Sequence, residues 1–243
     1  MEQIIRKSLL YRSGLGFWCI NHVQGCSHGC MYPCYAWMMA HSRGRAGTYA
    51  DWCRPAIAAN AEELLARELK RMRIRPGMIH LCLTTDPFMY GFPEVTALTL
   101  RLIELINLYG ISCSTLTKGV MPVELADTSR FPATNTHGIS LVSLNEEFRK
   151  KWEPGAAPYP DRIGALRELH DLGCTTLVHI EPYPTPNIIE QDLRELLDAV
   201  DFADEIWLGS WNYNNLARQY PHYREFYGEQ SAILSRFLAT RCR

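Results

Sequence analysis

Residues 25–35 read Gly25-Cys-Ser-His-Gly-Cys-Met-Tyr-Pro-Cys-Tyr35, and this stretch decides how the rest of the chain is interpreted. Its three cysteines, Cys26, Cys30 and Cys34, are spaced four residues apart. On a helix they would share one face. However, an interior Pro33 costs a helix about 3 kcal/mol, and each interior glycine costs roughly 1 kcal/mol. The stretch is therefore predicted to be a loop whose three thiolates converge on one inorganic centre.

Two kinds of metal centre fit such a loop. Three thiolates suit an iron–sulfur cubane with one iron left open for another ligand, and Gly25 and Gly29 permit the positive φ angles that a tight curl needs. The alternative is a structural zinc site that takes His22 or His28 as its fourth ligand. Zinc sites are usually built from CxxC pairs, and the loop contains none. The cluster is favoured, and zinc stays open as the second interpretation.

The chain has 243 residues, nine cysteines and a formal net charge of −1. We expect one domain over residues 1–243, with no membrane span and no secretory signal. A cytoplasmic location follows, in which cysteines are thiols or metal ligands rather than disulfides. The near-neutral charge counts weakly against nucleic acid as a partner. Outside the loop, core packing is the expected role of Cys19, Cys53, Cys82, Cys113, Cys174 and Cys242.

Strand-like and helix-like segments alternate along the chain, which indicates an α/β fold. Six strands joined by crossovers of this length predict a parallel sheet curled into a partial (β/α)6 TIM-like barrel. The core is expected over about residues 17–212, with an aromatic and helical C-terminal cap over 213–243. The predicted strands are 16–22, 79–85, 111–117, 137–144, 175–183 and 205–211, and the predicted helices are 60–72, 96–110, 161–173, 188–200 and 227–240, with a helical turn near 122–128.

Chemistry in parallel α/β folds gathers at the carboxyl ends of the strands. The predicted strand ends carry Asp86, Lys118, Glu181 and residues 210–212. Each side chain also has a plainer interpretation. Asp86 could only start a turn before Pro87, Lys118 could be a solvated loop lysine, and Glu181 could hold a helix N-terminus.

The cysteine loop resembles the CxxxCxΦC cluster loop of radical S-adenosylmethionine (SAM) enzymes, particularly the subgroup around spore photoproduct lyase. The usual spacing between the second and third cysteine is two residues, and here it is three, with Pro33 as the inserted residue and Tyr32 in the aromatic place. The resemblance extends over about residues 17–212. It includes LTTDPF at 83–88, TK at 117–118, SLVSLNEE at 140–147, WEP at 152–154 and DR at 161–162.

This resemblance implies an enzyme in which the three loop cysteines bind a [4Fe–4S] cluster and SAM chelates the fourth iron. One electron, from a flavodoxin- or ferredoxin-type donor, then cleaves SAM to a 5′-deoxyadenosyl radical that abstracts a substrate hydrogen. Lys118 suits the SAM carboxylate or ribose and Asp86 its amino group, whereas Arg162 could bond SAM or pair with Glu153. The expected SAM-binding residues are Tyr35, Thr85, Asp86, Lys118, Ser140 and Arg162.

Glu181 and Cys82 are the candidate catalytic residues. In the resembling subgroup a hydrogen-donor cysteine stands where this chain has Leu83. A one-residue offset on a strand turns a side chain to the opposite face. We therefore predict that Cys82 is not the same donor and that the protein does not repair photoproducts in DNA.

A small molecule, nucleoside-like or sugar-like, is the expected substrate. A nucleic acid or a peptide is a less favoured substrate, and a non-catalytic zinc or iron–sulfur interaction protein is the third hypothesis. The aromatic residues between Trp211 and Tyr227 could stack a base or a sugar. Packing that closes the barrel is the role that we expect of them.

Overall fold

A mixed sheet organises the chain in the computed structural model, which describes residues 1–241. Its strand order is β10-β9-β8-β7-β6-β3-β2, and every pair is parallel except β2 with β3. A smaller sheet has the order β1-β5-β4. The strands are β1 Glu2–Ile4, β2 Leu10–Arg12, β3 Trp18–Ile20, β4 Val23–Gln24, β5 Ala56–Ala58, β6 Met78–Leu81, β7 Ser112–Thr117, β8 Thr136–Ser140, β9 Thr175–Tyr183 and β10 Glu205–Ser210.

Helices connect the parallel strands and cover one face of the large sheet. Packing pairs α4 with β7 and α6 with β8 and β9. The helices are α1 Tyr35–Ser42, α2 Tyr49–Trp52, α3 Ala61–Arg71, α4 Pro93–Leu108, α5 Glu146–Trp152, α6 Tyr159–Asp171, α7 Leu193–Ala199, α8 Asn215–Arg218 and α9 Tyr223–Arg241, with a 3-10 helix at Val123–Ala126.

The predicted α/β partial barrel is confirmed: the six expected strands are parallel, and β2 and β10 are the two edges of the sheet. Boundaries differ in two informative places. The strand predicted at 79–85 ends at Leu81, so that residues 82–85 form a loop. The helix predicted at 188–200 begins only at Leu193, because the Asp192 side chain caps it by accepting a hydrogen bond from the Arg194 amide.

Side chains alternate across the sheet, so the two faces differ in chemistry. Ile79, Leu81, Cys113, Val178 and Ile180 point towards the helices and are inaccessible to solvent. Their burial stabilises the fold by roughly 25 cal/mol per Å² of apolar area removed from water. The opposite, inner face carries polar and half-buried residues and remains available for ligands.

The segment after β10 closes the barrel with aromatic packing, as expected. Trp211 is 1% exposed, and its ring centroid lies 5.4 Å from that of Tyr32 and 5.0 Å from that of Trp152. The Tyr227 hydroxyl, on α9, donates to the Tyr183 carbonyl at 2.7 Å and accepts from the Trp211 amide at 3.0 Å. The C-terminal helix is thereby tied to the strand ends and, through Trp211, to the cysteine loop.

Eight cysteines are free thiols, and Cys242 lies outside the described residues. Among residues 1–241 no helix has the length and apolar character that a membrane crossing requires.

Candidate functional site

The cysteine stretch is a loop between β4 and α1, as the glycines and Pro33 predict. Gly25 and Gly29 adopt φ angles of +82° and +59°, which favour glycine. A Cβ atom at Gly25 would lie 2.5 Å from the Trp52 carbonyl oxygen, and the same oxygen accepts a 2.9 Å hydrogen bond from the Cys26 amide. Cys34 is the extended residue immediately before α1.

A second segment, residues 152–155, holds the loop from the other side. The Met31 amide donates to the Trp152 carbonyl at 2.8 Å, and the Gly155 amide donates to the His28 carbonyl at 2.9 Å. A Cβ atom at Gly155 would lie 2.2 Å from the Ser27 carbonyl oxygen. The close approach of these two segments therefore requires glycine at position 155.

The loop thiols are suited to a shared positive centre. Burial raises the pKa of Cys26 above its ordinary value, and the nearby Asp86 and Cys30 raise it further. Burial also raises the pKa of Cys30 to about 12, although Lys118 opposes the shift. Because the thiols are close enough to oppose one another's ionisation, a cationic centre between them would favour their joint deprotonation.

The described residues contain no ready-made ligand set for a single metal ion. Within residues 1–241, no three Cys, His, Asp or Glu side chains lie close enough to hold one metal ion. In a cubane each cysteine binds a different iron, so three cluster ligands need not converge on one atom.

Both histidines proposed as a fourth zinc ligand already have other partners. His22 is buried, with Nε2 2.8 Å from the Thr99 hydroxyl and Nδ1 3.4 Å from the Cys82 sulfur. His28 Nε2 accepts from the Tyr90 amide at 3.3 Å, which leaves Nδ1 to face Asp86 Oδ2 at 3.5 Å. These contacts favour the cluster over the zinc alternative.

A buried carboxylate, Glu153, connects the loop to the strand ends. Its Oε1 accepts from the Tyr32 hydroxyl and from Lys118 Nζ, both at 2.5 Å, and its Oε2 accepts from Arg162 Nη2 at 2.8 Å. Glu153 and Arg162 are inaccessible to solvent. Burial alone would raise the pKa of Glu153, but the two cations outweigh it and lower the pKa to about 2.

Asp86 connects three loops. Its Oδ1 accepts from the Phe88 amide at 2.9 Å and the Thr117 hydroxyl at 2.5 Å, and its Oδ2 accepts from the Lys118 amide at 2.8 Å. Asp86 therefore does start a turn, because its hydrogen bond with the Phe88 amide is local. The remaining contacts fix the β6 and β7 loops against each other and against His28.

Lys118 is not a solvated loop lysine. Its side chain is 15% exposed, pairs with Glu153 and lies 5.2 Å from the centre of the Tyr32 ring. The Arg162 guanidinium donates to Glu153 and to the carbonyls of Ala157 and Ser140, so it reaches the loop only through other residues. Direct SAM binding by Arg162 stays a prediction, and the pairing with Glu153 is what the structure contains.

The other expected SAM-binding residues lie around the same strand ends. The Tyr35 hydroxyl donates to the Leu83 carbonyl, which places α1 against the loop that follows β6. The Thr85 hydroxyl is buried without a hydrogen-bond partner among the described residues. Ser140 is nearly buried at the end of β8.

Strand register places a row of polar side chains on the inner face. His80 is opposite Ser114, and His179 is opposite both Ser140 and Trp207. Trp207 is 55% exposed, with its ring at 77° to that of His179. Within residues 1–241, none of the six parallel strands contains Lys or Arg.

Glu181 belongs to this inner face. Its Oε2 lies 3.2 Å from His179 Nε2, and its Oε1 accepts from Asn212 at 3.5 Å. The hydrogen bond to His179 lowers the pKa of Glu181 despite partial burial. A Cβ atom at Gly209 would lie 2.4 Å from the Glu181 Cδ, so the glycine provides the space for the carboxylate. Glu181 does not hold a helix N-terminus in this arrangement.

Cys82 follows the last residue of β6 and is 4% exposed. Its sulfur contacts His22, and burial raises its pKa to about 12. Because β6 ends at Leu81, the strand alternation behind the prediction for Cys82 does not extend to this residue. That Cys82 is not the hydrogen donor of the resembling subgroup stays a prediction.

Comparison with known proteins identifies the family. A model described as the Radical SAM superfamily matches residues 20–200. The chain belongs to the radical SAM superfamily. This membership implies SAM and a [4Fe–4S] cluster as cofactors.

Solved structures share the fold of this chain, and one curated protein is similar to it in sequence. Spore photoproduct lyase with bound AdoMet and dinucleoside spore photoproduct matches 90% of the chain with a TM-score of 0.65 and 16% identity, and the lyase complexed with dinucleoside spore photoproduct alone gives 0.64 and 16%. The uncharacterized protein ORF301 of Acidianus two-tailed virus is 23% identical over 189 residues, which are 75% of the chain. The chain spans 66% of the lyase structures and 61% of the viral protein.

Sequence reasoning missed two residues of this radical SAM domain. His179 could have been found, because it precedes Glu181 by two positions on one strand and so shares its face. Tyr11 lies on the antiparallel edge strand β2, and its hydroxyl accepts a 2.6 Å hydrogen bond from the side-chain amide of Asn21. No local pattern marks Tyr11, because its neighbours are set by strand pairing.

We expect Glu153→Gln to lower the free energy of unfolding by about 3 kcal/mol, because it leaves two buried cations without a counter-charge. Urea unfolding at pH 7 measures this. The matched control is Glu147→Gln, which removes an exposed pair with Lys150 and should cost less than about 0.5 kcal/mol.

The Glu153 effect should depend on pH. Because folding lowers the pKa of Glu153 from 4.5 to about 2, the carboxylate stabilises the fold fully above the unfolded value and loses that effect as the pH falls through the folded one. The stability difference between wild type and Glu153→Gln should therefore be constant near neutrality and shrink below about pH 4.5. A difference that is the same at pH 3 and pH 7 would contradict the ion-pair assignment.

We expect Gly155→Ala to displace the cysteine loop and reduce cluster retention, because the new methyl group would overlap the Ser27 carbonyl. Iron and sulfide per chain after anaerobic reconstitution measure the effect. Gly164→Ala is the control, since a Cβ there has no atom within 4 Å. Equal iron content in both variants would show that the 152–155 contact does not position the loop.

Proposed function

We propose that this chain is a radical SAM enzyme that generates a 5′-deoxyadenosyl radical and abstracts a hydrogen atom from a small, uncharged or cationic substrate. Cys26, Cys30 and Cys34 would hold the [4Fe–4S] cluster. When bound and reduced, the cluster supplies the electron that cleaves a C–S bond of SAM. The observation that carries the proposal is the loop that brings Cys26, Cys30 and Cys34 near one another and is held against the strand ends by Glu153.

The chain's own residues would orient SAM at the carboxyl ends of the strands. Lys118 offers a positive charge to a carboxylate or ribose oxygen. Its ion pair with Glu153 fixes the position of the ammonium group. Asp86 fixes the β6 and β7 loops at this site, and Tyr35 supports the loop after β6. Thr85 offers a buried hydroxyl that still lacks a partner. Such preorganisation and exclusion of water are what a protein adds to cofactor chemistry.

The inner face would bind the substrate. Trp207 provides an exposed aromatic surface, and Glu181 and Asn212 provide a carboxylate and an amide close by. This combination suits stacking on a ring and hydrogen bonding to its hydroxyl groups. The absence of Lys and Arg from the six strands in the described part of the chain disfavours a phosphate at this face.

A nucleic-acid-derived substrate is the second candidate, because the structural relatives hold a dinucleoside spore photoproduct. The net charge of −1 and the inner face without cations favour the small molecule. An external donor of the flavodoxin or ferredoxin type would supply the electron.

The test is 5′-deoxyadenosine formation by the anaerobically reconstituted, dithionite-reduced protein with SAM, followed by liquid chromatography. We expect Cys34→Ala to abolish the product, because a ligand to one iron is lost. Cys174→Ala is the control, since this half-buried thiol is 3.8 Å from the Leu125 carbonyl and outside the loop. It should retain activity.

Two results would contradict the proposed function. The first is zinc in place of iron in the purified and reconstituted protein. The second is deoxyadenosine formation that persists in Cys34→Ala.

A further inference from the structure

A pocket separate from the cysteines lies between the N-terminal segment, β4, α1 and the loop after β6. Its cavity volume is about 40 Å³, and the cavity is partly open to solvent. Cys26, Cys30, Cys34, Asp86 and Lys118 do not line it. The polar lining residues are Arg6, Asn21, Gln24, Arg43, Arg45, Thr84 and Thr85.

The arginines of this pocket lack counter-charges. Among the described residues, no carboxylate forms a salt bridge with Arg6, Arg43 or Arg45. Burial, with a further contribution from the neighbouring Arg45, lowers the pKa of Arg6. The guanidinium groups of Arg6 and Arg45 therefore face the same pocket, and no carboxylate of the described residues neutralises them.

One buried donor of the pocket is also without a partner. Arg6 Nε is buried and forms no hydrogen bond with the described residues. Leaving a buried donor of a charged group unsatisfied is destabilising. A ligand that accepts hydrogen bonds and carries negative charge would remove that cost.

We propose that this pocket binds the phosphate group of a small-molecule ligand. Planar guanidinium groups bind phosphate oxygens in pairs. The side-chain amides of Asn21 and Gln24 already donate to the Tyr11 hydroxyl and the Arg45 carbonyl, which leaves each amide one further hydrogen for a ligand. A nucleic-acid backbone would need a longer basic track than one pocket. SAM carries a sulfonium cation, which the arginines repel. The site does not depend on the proposed radical chemistry.

The experiment is a titration of the reconstituted 243-residue chain with inorganic phosphate at low ionic strength, measured by isothermal calorimetry. We expect saturable binding, weakened about tenfold by Arg45→Gln and by Arg6→Gln, since each removes a charge-assisted hydrogen bond. Arg75→Gln, which alters an exposed arginine outside the pocket, should bind as wild type does. Arg45 is exposed, so its variant tests the site even if Arg6→Gln folds poorly.

A second arm repeats the titration with saturating SAM. We expect the phosphate affinity to be unchanged, because Arg6, Arg43 and Arg45 are not among the residues expected to bind SAM. Competition by SAM would overturn the inference and assign the pocket to the SAM carboxylate. The absence of saturable binding, or equal affinity in wild type, Arg6→Gln and Arg45→Gln, would also overturn it. Deoxyadenosine formation is measured separately, so failure here leaves the proposed radical chemistry untouched.

Discussion

The buried carboxylate of Glu153 is the constraint on which the site depends. Two cations and one phenol converge on it from three separate parts of the chain: Lys118 after β7, Arg162 on α6 and Tyr32 in the cysteine loop. Since all are buried or nearly so, moving one leaves charge uncompensated in a medium of low polarity. The free-energy cost of uncompensated charge therefore keeps the cysteine loop in place against the strand ends. Cofactor binding requires this placement.

Backbone contacts make the same connection more rigid. The cysteine loop packs against the Trp52 carbonyl on one side and against residues 152–155 on the other. Gly25 and Gly155 lie at these two contacts, where a Cβ atom would overlap a backbone carbonyl oxygen. Trp211 then covers Tyr32 and Trp152 from the C-terminal segment. The site therefore combines a charged centre, two glycine contacts and an aromatic cover, each supplied by a different region of the sequence.

Local signals were enough to predict the cysteine loop and the order of the parallel strands. Pro33 and the glycines exclude a helix by their own backbone requirements, and apolar periodicity marks the buried strands. The sequence predicts an end of β6 that lies too far along the chain, because Cys82 and Leu83 continue an apolar run that no local residue interrupts. The full set of Glu153 partners and the cluster of Arg6 with Arg45 could not be predicted, because strand pairing and helix packing bring distant residues together. His179 could have been predicted only indirectly, because it shares a strand face with Glu181.

The most direct measurement is electron paramagnetic resonance of the reconstituted, reduced protein with and without SAM, together with iron and sulfide analysis. The expected result is about four iron and four sulfide per chain and a cluster signal that SAM alters, because one iron is open to a ligand that the protein positions beside it. A cluster signal that SAM leaves unchanged, or a protein that binds zinc and no iron, would contradict the account.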